Sequence, residues 1–146
     1  MAVITSFDIR KREKQIKYER AVLREISLKE LKEKVAHYFG SSNLTSSILM
    51  NNGIEEACYD VAIEAFLLGA NYSKFSEYGE EVQAIKNRCK EEDVHLKETL
   101  YHFLLYWGSE ESNKNESLYY LCEQFVDEWW LEGYTKANKR RKLRLH

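Results

Sequence analysis

The chain has 146 residues, 44% of them apolar and 32% charged, with a formal net charge of −2. A chain of this length buries roughly 70% of its unfolded surface, so it needs no metal or disulfide staple, and its composition is that of a globular chain with a well-charged surface, not of a disordered one. The longest apolar run falls short of the ~20 residues that span a bilayer.

The opening "MAVITSFDIRKREK" lacks the apolar core of a secretory signal. Cys58, Cys89 and Cys122 are odd in number and show no CxxC spacing, which suits free thiols in a reducing compartment. Both observations lead us to expect a cytoplasmic protein. Proline is absent, where average usage predicts about seven. Long uninterrupted helices are compatible with that absence, because proline costs about 3 kcal/mol in a helix interior. Most of the glycines follow a helical pattern instead of interrupting one, as C-terminal helix stops do.

In chain order, Ser6 or Asp8 can cap a first helix running to about Glu25, with Ile9, Ile16 and Leu23 in a narrow seven-residue seam. Ser27 and Glu30 fit a capping box, with Ile26 and Leu31 as the staple around it, so a second helix is expected over 28–39. "SSNLTSSILMNN" reads as a short helix at most. A third helix is expected over 54–70, a fourth over 77–90, a fifth over 93–107 and a last over 116–136, capped by Asn115. No period-2 strand is found. The expected fold is all-α, a single bundle of five to six helices with a long basic N-terminal helix, in one domain over 1–146. Residues 137–146 are expected to form a basic tail.

"VAIEAFLLGA" carries one charge, Glu64. On a helix, Glu56, Asp60 and Glu64 form a stripe along the border of an apolar arc made by Ile54, Ala57, Cys58, Val61, Ala65 and Leu68, while Ile63, Phe66 and Leu67 lie beyond it. Glu64 is thus expected to reach water or a cationic partner. The C-terminal half of this helix is expected to be covered on two sides, by other helices or by a second subunit. Phe66, Leu67 and Trp130 are accordingly interface candidates. Adjacent Trp129 and Trp130 cannot both enter one helix face, so Trp130 either packs under a loop or marks an interface.

Two constellations resemble chemistry. His95, Glu98 and His102 lie at i, i+3, i+7, a spacing that can present metal ligands, but on the face opposite Leu96, Leu100, Phe103, Leu104 and Trp107. Solvated side chains are the simpler reading, and no cofactor is implied. Arg88 and His95 are separated by six residues, which resembles the Arg-x(4–6)-His signature of HEPN-domain ribonucleases. That resemblance implies a metal-independent, RNA-cleaving helical dimer, on two residues alone. No nucleophile motif or phosphate-cradling glycine loop occurs. Cys89, between Arg88 and Lys90, is expected to be exposed, and Cys58 and Cys122 buried.

Charge is uneven. Arg10 to Arg24 hold seven basic residues and two acids, Gly133 to His146 six basic residues and no acid, and residues 25–132 nine basic residues against twenty-one acids. Arg10, Lys11 and Arg12 at one end, and Lys139, Arg140, Arg141, Lys142 and Arg144 at the other, are candidates to contact nucleic acid or another anionic partner. Equally, they can contact the chain's own acidic body.

The stretches "SFDIRKREKQIKYERAVLREISLKELKEKV", "GIEEACYDVAIEAFLLGANYSKFSEYGEEV" and "LYYLCEQFVDEWWLEGY" resemble an uncharacterised, YbaK-like family of Bacillales proteins of unknown function. The prolyl/cysteinyl-tRNA deacylase of the same name is unrelated. The resemblance implies a bacterial cytoplasmic protein and brings no catalytic residues. A non-enzymatic interaction or regulatory domain, with a protein partner or self-association, is the leading expectation. A nucleic-acid-binding module and a HEPN-like ribonuclease stand as alternatives.

Overall fold

The computed structural model describes residues 2–39, 52–108 and 115–143, with side chains over 8–39, 55–106 and 117–143. Among these residues the fold is all-α. In order come α1 (Ala2–Leu23), α2 (Leu28–Phe39), α3 (Asn52–Tyr72), a 3₁₀ segment (Ser73–Tyr78), α4 (Val82–Arg88), α5 (Lys90–Gly108) and α6 (Asn115–Lys142). The short helix considered for "SSNLTSSILMNN" and the loop "SEESNKN" lie almost wholly outside the described residues.

Helix α2 starts where its capping box places it, with the Glu30 N–H donating to Ser27 Oγ at 3.0 Å. Leu31, Val35 and Phe39 follow at i, i+4, i+8, and all three are buried. Helix α1 begins at Ala2, ahead of both expected caps. The fourth helix begins at Val82 instead of Glu77, because the chain first closes a 3₁₀ segment on Gly79, at φ +84°. That conformation is open to glycine at little cost. Helix α6 continues to Lys142, so the expected basic tail starts as helix.

The core is built on α3 crossing α6. Cys58, Val61, Ala62, Ala65, Phe66 and Ala70 from α3 meet Leu118, Cys122, Phe125, Val126 and Trp129 from α6, with α2 and α5 closing the sides. Phe125 touches Phe39 and Trp129, ring centroids 5.3 and 6.5 Å apart. A second, smaller cluster holds Ile85, Cys89, Trp130 and Tyr134, flanked by Leu68, Tyr72 and Phe75. The adjacent tryptophans therefore enter different clusters on either side of α6. Trp130 packs under the short α4 and the Cys89 that follows it, so its cover is a short helix where the sequence suggested a loop or an interface. Each such large side chain contributes about 1.5–3 kcal/mol by leaving water.

Gly69 and Gly133 are not stops. Both sit inside helices at the α3–α6 crossing, where a Cβ on either would overlap the carbonyl of Trp130 or Phe66 respectively.

Candidate functional site

A groove of about 510 Å³ opens between α1, α3 and α5. Glu19 of α1, Glu64, Leu67, Leu68 and Asn71 of α3, and Glu91, Glu92, His95 and Leu96 of α5 line it. Glu64 is exposed, as its border position on the helix requires, and it shares the groove with His95. At the groove's edge the Tyr72 hydroxyl donates to Glu92 at 3.3 Å. His95, Glu98 and His102 are all exposed along α5, and the His102 ring lies 5.5 Å from Tyr101. Among the described residues, no three His, Cys, Asp or Glu side chains come close enough to hold a metal ion.

Arg88 is engaged by Glu80 and Phe75. Its Nε donates to Glu80 Oε2 at 2.7 Å, a second guanidinium nitrogen donates to Glu80 Oε1, and its plane lies 4.3 Å over the Phe75 ring. The hydrogen bond from Arg88 holds the Glu80 carboxyl below the usual carboxylate range. This fork joins the end of α4 to the segment just after Gly79.

Sequence reasoning missed the most buried charges. Lys97 reaches Asp93 at 2.8 Å and Asp127 at 2.9 Å, and Lys86 reaches the same Asp127 oxygen at 2.5 Å. Asp93 and Lys97 are only 5% and 8% exposed. Burial pulls the Lys97 ammonium down, but the two carboxylates outweigh it and hold it above its ordinary value, so it stays charged. The network is balanced and closed except for Asp93 Oδ1, which has no partner.

Cys89 corrects an expectation. It is fully buried and accepts a hydrogen bond from Trp130 Nε1 at 3.3 Å, while its thiol faces the Lys86 carbonyl at 3.4 Å. The apolar side chains of Ile85 and Trp130 outweigh its charged sequence neighbours. Burial pushes all three thiols up, that of Cys58 to about 12, so none is a ready nucleophile at neutral pH.

With this geometry in view, comparison with known proteins is informative about lineage. A family model described as "Protein of unknown function (DUF2521)" matches residues 1–146. The chain belongs to that family. It is 32% identical over 152 residues to the "Uncharacterized protein YbaK" of Bacillus subtilis (strain 168), covering 99% of each chain. No solved structure matches.

Membership brings no site residues, so the remaining candidates stand on their surroundings. At the C-terminal end of α6, Arg140 pairs with Glu25 and Arg141 with Glu77, each at 3.3 Å. Lys136 donates to the Glu25 carbonyl at 3.0 Å. Part of the basic C-terminal segment thus contacts the chain's own acids. Lys139 and Lys142 remain exposed, and Arg144 lies outside the described residues. Arg10, Lys11 and Arg12 are exposed on α1.

Of the interface candidates, Phe66 and Trp130 are 0% and 1% exposed within the chain itself, so neither offers surface to a partner. The second cover expected over α3 is supplied by α6. Leu67 is half-buried and lines the groove. No helix among the described residues is long and apolar enough to cross a membrane.

Proposed function

We propose that the chain is a non-enzymatic interaction or regulatory domain of the cytoplasm, and that α1 is the element it offers to a partner. The observation that carries this reading is the exposure of every residue from Asp8 to Lys17. Ile9 and Ile16 remain 50% and 42% exposed there. An isolated helix this short is marginal in water, and these turns gain their order from continuity with the docked part of α1. There, the Tyr18 hydroxyl donates to the Ala70 carbonyl at 3.3 Å and Val22 is buried. The groups with chemical potential support the same reading. The thiols are buried and protonated, and Arg88 is held by Glu80.

Site-specific photo-crosslinking in growing cells tests it. A benzophenone side chain at Ile9 or Ile16 is expected to form a discrete adduct, and one at exposed Tyr120 of α6 is not. Absence of an adduct from α1, or equal labelling from all three positions, would sink the proposal. Light scattering on the full chain then separates a second copy from a different macromolecule.

A further inference from the structure

The seven basic residues from Arg10 to Arg24, six on α1 and Arg24 just past its end, are not spread evenly around the helix axis. Placed at about 100° per residue, Arg10, Lys14, Lys17, Arg20 and Arg24 fall within one arc of about 120°. All five are exposed. The opposite face holds the residues that meet the body, among them Gln15, which bonds Asn71 at 3.2 Å, Tyr18 and Val22. Asp8 and Glu19 also lie on that side, which leaves Glu13 as the one acid within the cationic arc. None of the five cations pairs with an acid among the described residues. By contrast, Arg140 and Arg141 of α6 are both paired.

The α6 end adds to the same region. Glu25, just past the end of α1, meets Lys136 and Arg140, while Tyr18, two turns earlier, comes under the charge of Arg141. The two helices therefore run antiparallel. The exposed Lys139 and Lys142 lie at the end of the molecule from which the first turns of α1 project.

We infer that the outward stripe of α1 binds the phosphate backbone of a nucleic-acid duplex without reading its bases, an inference that rests on the interaction role proposed for α1. From Arg10 to Arg24 the helix rises about 21 Å. Duplex DNA carries one charge per ~1.7 Å of axis, so the stripe covers roughly six base pairs of a regular line of anions. A membrane surface fits less well, because an interfacial helix needs a broad apolar face, and among the α1 residues with described side chains only Ile9 and Ile16 are exposed apolar groups. An acidic protein fits less well too. Protein interfaces centre on aromatic anchors, and the stripe has none.

Fluorescence anisotropy of the full chain with a labelled mixed-sequence duplex of about 20 base pairs, in DNA and RNA form, tests the inference between about 20 and 200 mM salt. Five phosphate contacts predict a slope of log affinity against log salt of about −4.5. Lys14→Ala/Lys17→Ala should flatten the slope by about 1.8 and weaken binding at least tenfold, while Lys90→Ala on α5 changes neither. All three positions are exposed, and an unchanged melting temperature confirms the fold. No binding at the lowest salt, or equal binding by the double variant, would overturn the inference. So would binding to phosphatidylglycerol vesicles but not to duplex. If crosslinks from Ile9 and Ile16 lead only to protein, the interaction role stands and the nucleic-acid inference falls.

Discussion

Gly69 of α3 lies against the backbone carbonyl of Trp130 on α6, and three residues along each helix the relationship is reversed, with Gly133 against the carbonyl of Phe66. Two helices with side chains at these positions would stay ~8–10 Å apart, and the paired glycines remove that spacing. Helix propensity alone makes Gly→Ala stabilising by about 0.8–1 kcal/mol. Here a Cβ at 69 would also stand 2.8 Å from the Trp130 carbonyl carbon and 3.0 Å from the Tyr134 nitrogen. Gly69→Ala and Gly133→Ala are therefore each expected to destabilise by about 1–3 kcal/mol or more, as overpacking does. The double variant should cost less than the sum, because one separation of the helices relieves both clashes. Urea unfolding of the three variants measures this. A gain in stability from either alanine would contradict the close crossing.

Trp130 distinguishes an interior from an interface. Its ring stacks on Tyr134 at 5.4 Å with 10° between planes, and its N–H reaches Cys89. Trp130→Ala is expected to cost about 3–5 kcal/mol with no change in oligomeric state. Denaturant titration and light scattering report the two quantities separately. An unchanged stability with a changed mass would place Trp130 at a subunit contact.

Much of this fold was legible in the sequence, and the errors share one physical cause. Helix α2 and its cap follow from local chemistry, because Ser27 satisfies a backbone donor three residues away whatever the tertiary packing. The rotation of a helix about its axis is not local. On α5 the sequence points to Leu96, Leu100, Phe103, Leu104 and Trp107 as the inward side, and the buried row among the described side chains is Asp93, Lys97, Leu100 and Leu104. Two charges interrupt that row, so hydrophobicity alone rotates the expected face toward Leu96 and Phe103. The i, i+4 spacing of Asp93 and Lys97 in line with Leu100 and Leu104 was the available signal. Likewise, Gly69 and Gly133 look the same in sequence whether they end a helix or admit another. For the candidate site, the border position of Glu64 and the outward face of His95 were readable, but their meeting across one groove depends on how α3 and α5 pack. The buried state of Cys89 depends on Trp130, forty-one residues away.

The Lys97 network gives a prediction with a cross-check. Removing one member of a buried ion pair leaves the other uncompensated, at a cost of about 3–5 kcal/mol. Lys97→Met should show that loss, since Asp93 is 5% exposed and its other oxygen already lacks a partner. Asp93→Asn in the Lys97→Met background should recover part of it, because a neutral amide costs less to bury than a carboxylate. Thermal unfolding of the two variants decides. A double variant less stable than Lys97→Met alone would show that Asp93 is not the charge left exposed to the penalty.

The buried thiols make stability fall on the alkaline side. The Cys58 thiol ordinarily titrates at 9.0 and is pushed up to about 12 in the fold, first by burial and then by the nearby Glu55 carboxylate. Between those values the unfolded chain has lost a proton that the folded chain retains, so rising pH favours unfolding. Each such group contributes a slope of about 1.4 kcal/mol per pH unit. Burial likewise raises Cys122, and it raises Tyr59 together with the hydrogen bond to Glu55. Lys97 acts in the same direction at higher pH. Its ion pairs are fully present below its ordinary 10.5 and lost as pH rises through its raised folded value. Unfolding free energy should accordingly be flat near neutrality and decline from about pH 9. Cys58→Ala removes one titrating group, so this variant should start less stable at pH 7 and lose stability more slowly between pH 9 and 11. Urea titrations at pH 7, 9, 10 and 11 compare the slopes. Parallel curves for the two proteins would mean that the Cys58 thiol titrates alike in the folded and unfolded chain, and that its burial carries no linkage to stability.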